Sequence, residues 1–223
     1  VMTNILLADE INRAIPRTQS ALLEAMEERQ ITIDNVNYKL PAPFLVLATQ
    51  NPVEMESTFK LPAAQMDRFF IKLSLGYPRP EEEVEMLANL GNRIPFERVN
   101  EVTNQEEIVS AQQEAQQIHL SEEVAKYIVA VVDGTRNHGD LAMGASPRGS
   151  KALYKAAKAW AAMDGREFAT PDDVKAVAVP VLSHRLVLTS EAKYAGKTSE
   201  GIVAEVLEQT YVGADREDLI HAL

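Results

Sequence analysis

Asp9 and Glu10 directly follow the apolar run Ile5-Leu6-Leu7-Ala8, so two adjacent carboxylates stand at the C-terminal end of an expected strand. Open α/β sheets place their ligands at that end. In phosphoryl transfer one acid there holds Mg2+, directly or through its waters, and its neighbour aligns and deprotonates the attacking water. Solvated or capping acids at a strand end give the same pattern. Asn51, in Ala48-Thr49-Gln50-Asn51-Pro52, lies just past a second apolar run and stands beside Asp9 if the two runs are neighbouring strands. A neutral amide there orients the lytic water and senses a γ-phosphate; taken alone, Asn51 reads as a turn asparagine before proline.

Two arginines complete the set. Arg68, in Gln65-Met66-Asp67-Arg68-Phe69-Phe70, leads into a third apolar run. Spacing alone favours a structural ion pair for it, and the sharper reading is a finger on phosphate charge in a neighbouring subunit. Ser146-Pro147-Arg148 puts Arg148 on the first turn of a helix, where free amides and the helix dipole favour an anion. A plain surface arginine is equally consistent. The segment Gly144-Ala145-Ser146-Pro147-Arg148-Gly149-Ser150-Lys151 imitates a phosphate loop, but its lysine is one place late, proline interrupts it and no strand precedes it. No G-x-x-x-x-G-K-[ST] match occurs in the chain. His119, His138, His184 and His221 are too dispersed for a metal-ligand pattern.

The elements that must position these groups divide the chain. Ile5 to Ala8 is expected to be a strand covered on both faces, and Pro16 opens a helix through Glu28. Ile31 to Ile33 and Val36 to Leu40 flank Asp34-Asn35 as a small hairpin. Phe44 to Ala48 and Phe69 to Leu73 are expected as second and third strands. This is α/β order. Past Gly76-Tyr77-Pro78-Arg79-Pro80, a plausible boundary, every segment reads as helix: Thr103 with Glu106 as a capping box, Ser121 as a cap, and Ser146-Pro147 and Thr170-Pro171 as caps before proline. Domains over residues 1–78 and 79–223 are therefore expected.

Bulk properties exclude some classes. The net charge of -11, from 33 acidic and 22 basic residues, opposes binding to nucleic acid or anionic membrane. The absence of cysteine excludes disulfides and thiolate metal sites and suits a reducing compartment, with cytoplasm the default. No apolar stretch approaches the ~20 residues that span a bilayer.

The stretches Asn4 to Ala14, Thr18 to Glu28, Leu47 to Pro52, Leu61 to Phe69, Ala145 to Gly149 and Val181 to Leu186 together resemble the MoxR family of AAA+ ATPases. The resemblance covers nearly the whole chain. It implies the second half of an AAA+ P-loop NTPase αβα core with a pre-sensor-1 β-hairpin facing a central pore, followed by an all-helical lid domain. It further implies Asp9 and Glu10 as Walker B, Asn51 as sensor 1, Arg68 as arginine finger and Arg148 as sensor 2, with ATP and Mg2+ as cofactors. Ring assembly, often hexameric, partners carrying von Willebrand factor A domains, and chaperone-like maturation of client proteins follow from the family. Because the Walker A loop is absent from these residues, the chain alone is expected neither to bind nucleotide tightly nor to hydrolyse it, and its half-sheet to expose an edge and an apolar face. The rival readings are a non-catalytic assembly or adaptor module and an AAA+ nucleic-acid motor.

Overall fold

The computed structural model describes residues 3–51, 59, 61–89 and 99–211. Its first unit is a parallel strand pair: β1 (Ile5–Ala8) and β4 (Leu45–Ala48) run in register from Ile5 opposite Leu45 to Ala8 opposite Ala48. Parallel neighbours need a long crossover. Here it consists of α1 (Pro16–Glu28) and the antiparallel hairpin β2 (Gln30–Ile33) and β3 (Val36–Lys39). Pro16 starts α1 with its φ already helical, and Arg29 ends it in the left-handed region with φ 54°. The hairpin turns on Asp34 and Asn35, with φ of 51° and 63°, the two successive positive values that a tight two-residue turn of this hand requires.

The expectation that β1 is covered on both faces is corrected. Leu6 and Val46 pack with Ile31 on the buried cluster of Ala25, Leu40 and Phe44. Ile5 and Leu7 are 60% and 63% exposed, and Leu45 and Leu47 are 50% exposed each. Successive strand residues face opposite ways, and α1 covers one way only.

The third strand is also corrected. Residues 71–79 have no regular structure, and the carbonyls of Phe69 and Phe70 accept hydrogen bonds from the side chain of Arg185 rather than from a neighbouring strand. The amide of Lys72 donates to the carbonyl of Pro180 at 2.9 Å. These backbone groups are spent on the second unit. Between lie α2 (Ala63–Met66) and α3 (Pro80–Ala88), the latter exposed along its length.

The second unit is helical: α4 (Gln105–Gln117), α5 (Glu122–Arg136), α6 (Pro147–Met163), α7 (Pro171–Leu182), α8 (Ser190–Tyr194) and α9 (Ser199–Gln209). Contrary to an all-helical reading, short strands join them: β5 (His119–Leu120) with β7 (Phe168–Ala169), and β6 (Leu141–Met143) with β8 (Val187–Leu188). At two or three residues each they are too short to carry a period-2 signal.

Val131, Val132, Leu153, Ala157, Val174, Ala178, Val181, Leu182 and Val203 are fully shielded and form the core where α5, α6, α7 and α9 meet. The face Val124, Ile128, Val131, Val132 is buried as expected, but Trp160 on α6 is 45% exposed because the buried stripe continues through Ala161 instead. Ser121 and Ser146 cap as expected, and Thr170 does so through a capping box in which Asp173 accepts from the Thr170 amide. At α4 the cap is Asn104, whose Oδ1 accepts from the amide of Glu107, and not a Thr103/Glu106 box. No described helix is long and apolar enough to cross a membrane.

Candidate functional site

The parallel pairing of β1 with β4 brings the acidic strand end beside the segment that carries Asn51. The Thr49 hydroxyl donates to Asp9 Oδ1 at 2.5 Å, and the Glu10 amide donates to Thr49 Oγ1 at 2.8 Å. Asn51 follows two residues later at the same end of β4 and is half-buried. Glu10 sits in the left-handed region with φ 49°, a conformation that costs a non-glycine residue about 1 kcal/mol or more and that collects at functional sites. Its carboxylate pairs with Arg13 at 2.9 Å. Beneath this turn, buried Gln19 donates through Nε2 to the carbonyls of Ile11 at 3.1 Å and Phe59 at 3.0 Å.

Arg68 and Arg148 gather elsewhere. Glu27, in the last turn of α1, takes Arg68 Nη1 on Oε2 at 2.6 Å and Arg148 Nη2 on Oε1 at 2.5 Å. Arg148 stands on the first turn of α6, as its sequence predicts, with its amide donating to Ser146 Oγ. The Ser146 hydroxyl donates to Asp67 Oδ2 at 2.7 Å. Asp67 Oδ1 accepts from Arg185 Nη1 at 2.7 Å, and Arg185 is almost wholly buried. Its Nε donates to the Val181 carbonyl at 2.7 Å. Next to it, His184 Nε2 meets the Phe69 carbonyl at 3.0 Å. Burial pushes the His184 pKa below its usual value, aided by the nearby positive Arg185 and Lys72 and resisted by its bond to Phe69 and by Asp67.

These two groups of residues lie at opposite ends of one helix. From Pro16, just past the acidic turn, to Glu27 the axial rise of α1 is ~16 Å. The strands agree: Arg29 donates to the carbonyl of Phe44, which precedes β4, and from there to Thr49 an extended chain rises ~16 Å. Thus Asp9, Glu10 and Asn51 share one end of the unit, and Arg68 and Arg148 share the other.

Sequence reasoning passed over Thr49, Glu27, Asp67 and Arg185. Asp67 and Arg185 carried a signal, as charges set close to the apolar runs Phe69-Phe70-Ile71 and Leu186-Val187-Leu188. Glu27 is one of several acids on an exposed helix face and carried none.

Comparison with known proteins decides the family. Residues 1–71 match the model for the ATPase family associated with various cellular activities (AAA), and residues 133–206 match the AAA lid domain. The YeaC protein of Bacillus subtilis is 45% identical over 216 residues, covering 97% of this chain and 68% of that protein. Chaperone MoxR1 of Mycobacterium tuberculosis is 41% identical over 217 residues, covering 93% of this chain and 57% of that protein. A crystal structure of a Cytophaga hutchinsonii protein superposes with TM-score 0.89 at 37% identity, covering 96% of this chain and 68% of that one. The chain belongs to the MoxR family of AAA+ ATPases.

In this MoxR-family chain the hard oxygens of Asp9 suit Mg2+. Thr49 orients one carboxylate oxygen, and Asp9 as a residue is exposed, as befits an ion that retains several waters. The four histidines are too dispersed in sequence for a metal-ligand pattern, but one of them joins two acids in the fold: the ligand atoms of His138, Asp140 and Glu205 lie within 4.8 Å of one another. Lys197 occupies Asp140 Oδ2 at 2.5 Å, and His138 Nδ1 accepts the Asp140 amide at 3.2 Å, so these side chains are spent on one another. His221 lies outside the described residues.

The false phosphate loop also has a packing explanation. A Cβ on Gly144 would meet the Arg136 backbone at 2.6 Å, and one on Gly149 would meet Ala145 at 3.1 Å and Leu182 at 3.3 Å. Those glycines let the start of α6 close on α5 and α7.

Proposed function

We propose that this chain forms part of a ring-shaped ATPase that hydrolyses Mg-ATP between subunits and uses the cycle to remodel or mature partner proteins. The observation that carries the reading is that the acidic turn precedes α1 while the arginines pair with Glu27 in its last turn, an axial rise of ~16 Å from Pro16 to Glu27. The length of α1 sets one chain's Asp9 apart from the ion pairs that hold that chain's Arg68 and Arg148, so in this reading a second copy completes the site. A closed ring, with six copies the family expectation, gives every copy both contacts.

In this reading Asp9 holds Mg2+, which when bound neutralises phosphate charge. Glu10, on its strained turn, releases Arg13 and takes the proton of the attacking water, Asn51 orients that water, and Arg68 and Arg148 of the next copy stabilise charge on the phosphoryl oxygens. Residues 1–78 act as the core and 79–223 as the lid, with the exposed Asp34–Asn35 hairpin turned to the pore. The chaperone reading draws on the name of MoxR1; client proteins, von Willebrand factor A domain partners and a cytoplasmic setting extend the same proposal. The net charge of -11 counts against a nucleic-acid motor. An adaptor role gives no reason for a strained Glu10.

The test uses the whole protein that carries this chain. Glu10→Gln is expected to keep ATP affinity and lose about a hundredfold or more of turnover, and Arg68→Ala to lose turnover with affinity nearly intact. Mixed subunits of the two kinds should recover activity, because some interfaces then pair an intact Glu10 with an intact Arg68. Turnover of Glu10→Gln within about twofold of the parent would remove Glu10 as the base.

A further inference from the structure

The two phosphate-facing arginines come from different units, Arg68 after α2 and Arg148 on α6, yet both are held by one carboxylate. Around them three guanidiniums, of Arg68, Arg148 and Arg185, meet two carboxylates, of Glu27 and Asp67. Among the described residues one positive charge is left in excess. Arg185 is buried and committed to Asp67, so the excess resides on the half-exposed Arg68 and Arg148. Arg148 Nη1 is 3.8 Å from Asp67 Oδ2, too long for a hydrogen bond, and that oxygen already accepts from Ser146. Glu27 is therefore what fixes both guanidiniums relative to each other.

We infer that Glu27 is a positioning residue which gathers Arg68 and Arg148 into one cationic pair, aimed at the terminal phosphate of a nucleotide held by an adjacent copy. The inference rests on the interfacial ATPase reading above. Each guanidinium presents several donors, and binding Glu27 uses one edge while the others stay available. With Glu27 in place, the lid's arginine and the core's arginine reach the phosphate in a fixed mutual geometry. Without it, two like charges repel and each side chain regains its rotamers. Because all three side chains are between a third and a half exposed, their ion pairs add little to stability, so a variant at Glu27 folds.

The deciding experiment compares Glu27→Gln, Arg68→Ala and the double variant in the whole protein, by steady-state ATP turnover, ATP-analogue titration and thermal unfolding. Glu27→Gln is expected to lower kcat about tenfold or more, with nucleotide affinity and unfolding midpoint unchanged. The double variant should lose less than the product of the two single losses, because Glu27 acts in part through that arginine. Mixing Glu27→Gln with Glu10→Gln subunits should raise turnover above either alone.

An unchanged or higher kcat for Glu27→Gln overturns the inference, as does strict additivity with Arg68→Ala or a failure of mixing to raise turnover. A lowered unfolding midpoint that accounts for the loss overturns it in favour of a purely structural pair. If Glu10→Gln itself keeps full turnover, the interfacial ATPase reading falls first, and that outcome is distinct from loss of the Glu27 role alone.

Discussion

Asp67 accepts on both carboxylate oxygens, from Arg185 on one side and Ser146 on the other, and so ties the residue preceding Arg68 to two segments of the helical unit. The guanidinium of Arg185 in turn reaches the carbonyls of Asp67, Phe69, Phe70 and Val181. A charge buried this deeply is tolerable only while its donors are satisfied, and removing its partner leaves the remaining charge desolvated. Arg185→Ala is therefore expected to cost about 3 kcal/mol or more. Chemical denaturation of the variant should show a lowered midpoint. The contrast with Glu27 lies in burial: Arg185 is shielded and structural, whereas the Glu27 cluster is wet, so its loss should register in turnover rather than in stability.

The 3-10 turn Ser183–Arg185 is the element that latches the helical unit onto the segment after Arg68. Its pH response follows from His184. Burial lowers the pKa of His184 from 6.5, so below that value the unfolded chain binds a proton that the folded chain resists. Stability contributed by the neutral ring is thus present above about pH 6.5 and declines as pH falls toward the folded pKa. Arg185 and Lys72 face the ring with positive charge and Asp67 with negative charge, and the first two reinforce the decline. Protection factors for amide exchange at Phe69, Phe70 and Lys72, which divide out the intrinsic pH dependence of exchange, are expected to fall between about pH 7 and pH 5, and His184→Gln should flatten that dependence. A pH-independent protection factor in the parent chain would remove His184 as the cause. Asp173 responds in the same sense but at lower pH: hydrogen bonds from Arg166, then from the Thr170 amide and hydroxyl, hold its pKa below the usual carboxylate range, so its contribution is lost only in stronger acid.

At the scale of the whole molecule the two units are unequal. The helical unit has a continuous core of fully shielded side chains, whereas the strand unit has Ala25, Leu40 and Phe44 with three partly buried neighbours, and an open apolar face of Ile5, Leu7, Leu45 and Leu47. The relatives are longer, since this chain spans 68% of YeaC and 57% of MoxR1. Titration of a fluorescent ATP analogue with Mg2+ is expected to show weak binding by these 223 residues and at least about a hundredfold tighter binding by the protein at its relatives' length, because a phosphate-cradling loop supplies amides and a lysine that this sequence does not contain. Equal affinity for both would mean that the phosphates are held by groups other than such a loop.

Much of this was legible in the residues. The hairpin turn, the start of α6 at Ser146-Pro147 and the acidic pair closing the first strand are local features, written in neighbouring side chains whose spacing limits the backbone choices. The family likeness rests on the same contiguous stretches. What the sequence did not disclose depends on segments far apart in the chain. Phe69 to Leu73 has the composition of a strand, yet its backbone groups bond to Pro180 and Arg185, because hydrogen-bond partners are assigned in space. Glu27 looks like any exposed helical acid until folding brings Arg68 and Arg148, 41 and 121 positions away, to its two oxygens. Spacing in sequence singled out the candidate groups for the chemistry; only the tertiary structure decided that acids and arginines stand at opposite ends of one helix, because the rigid length of α1 holds them apart.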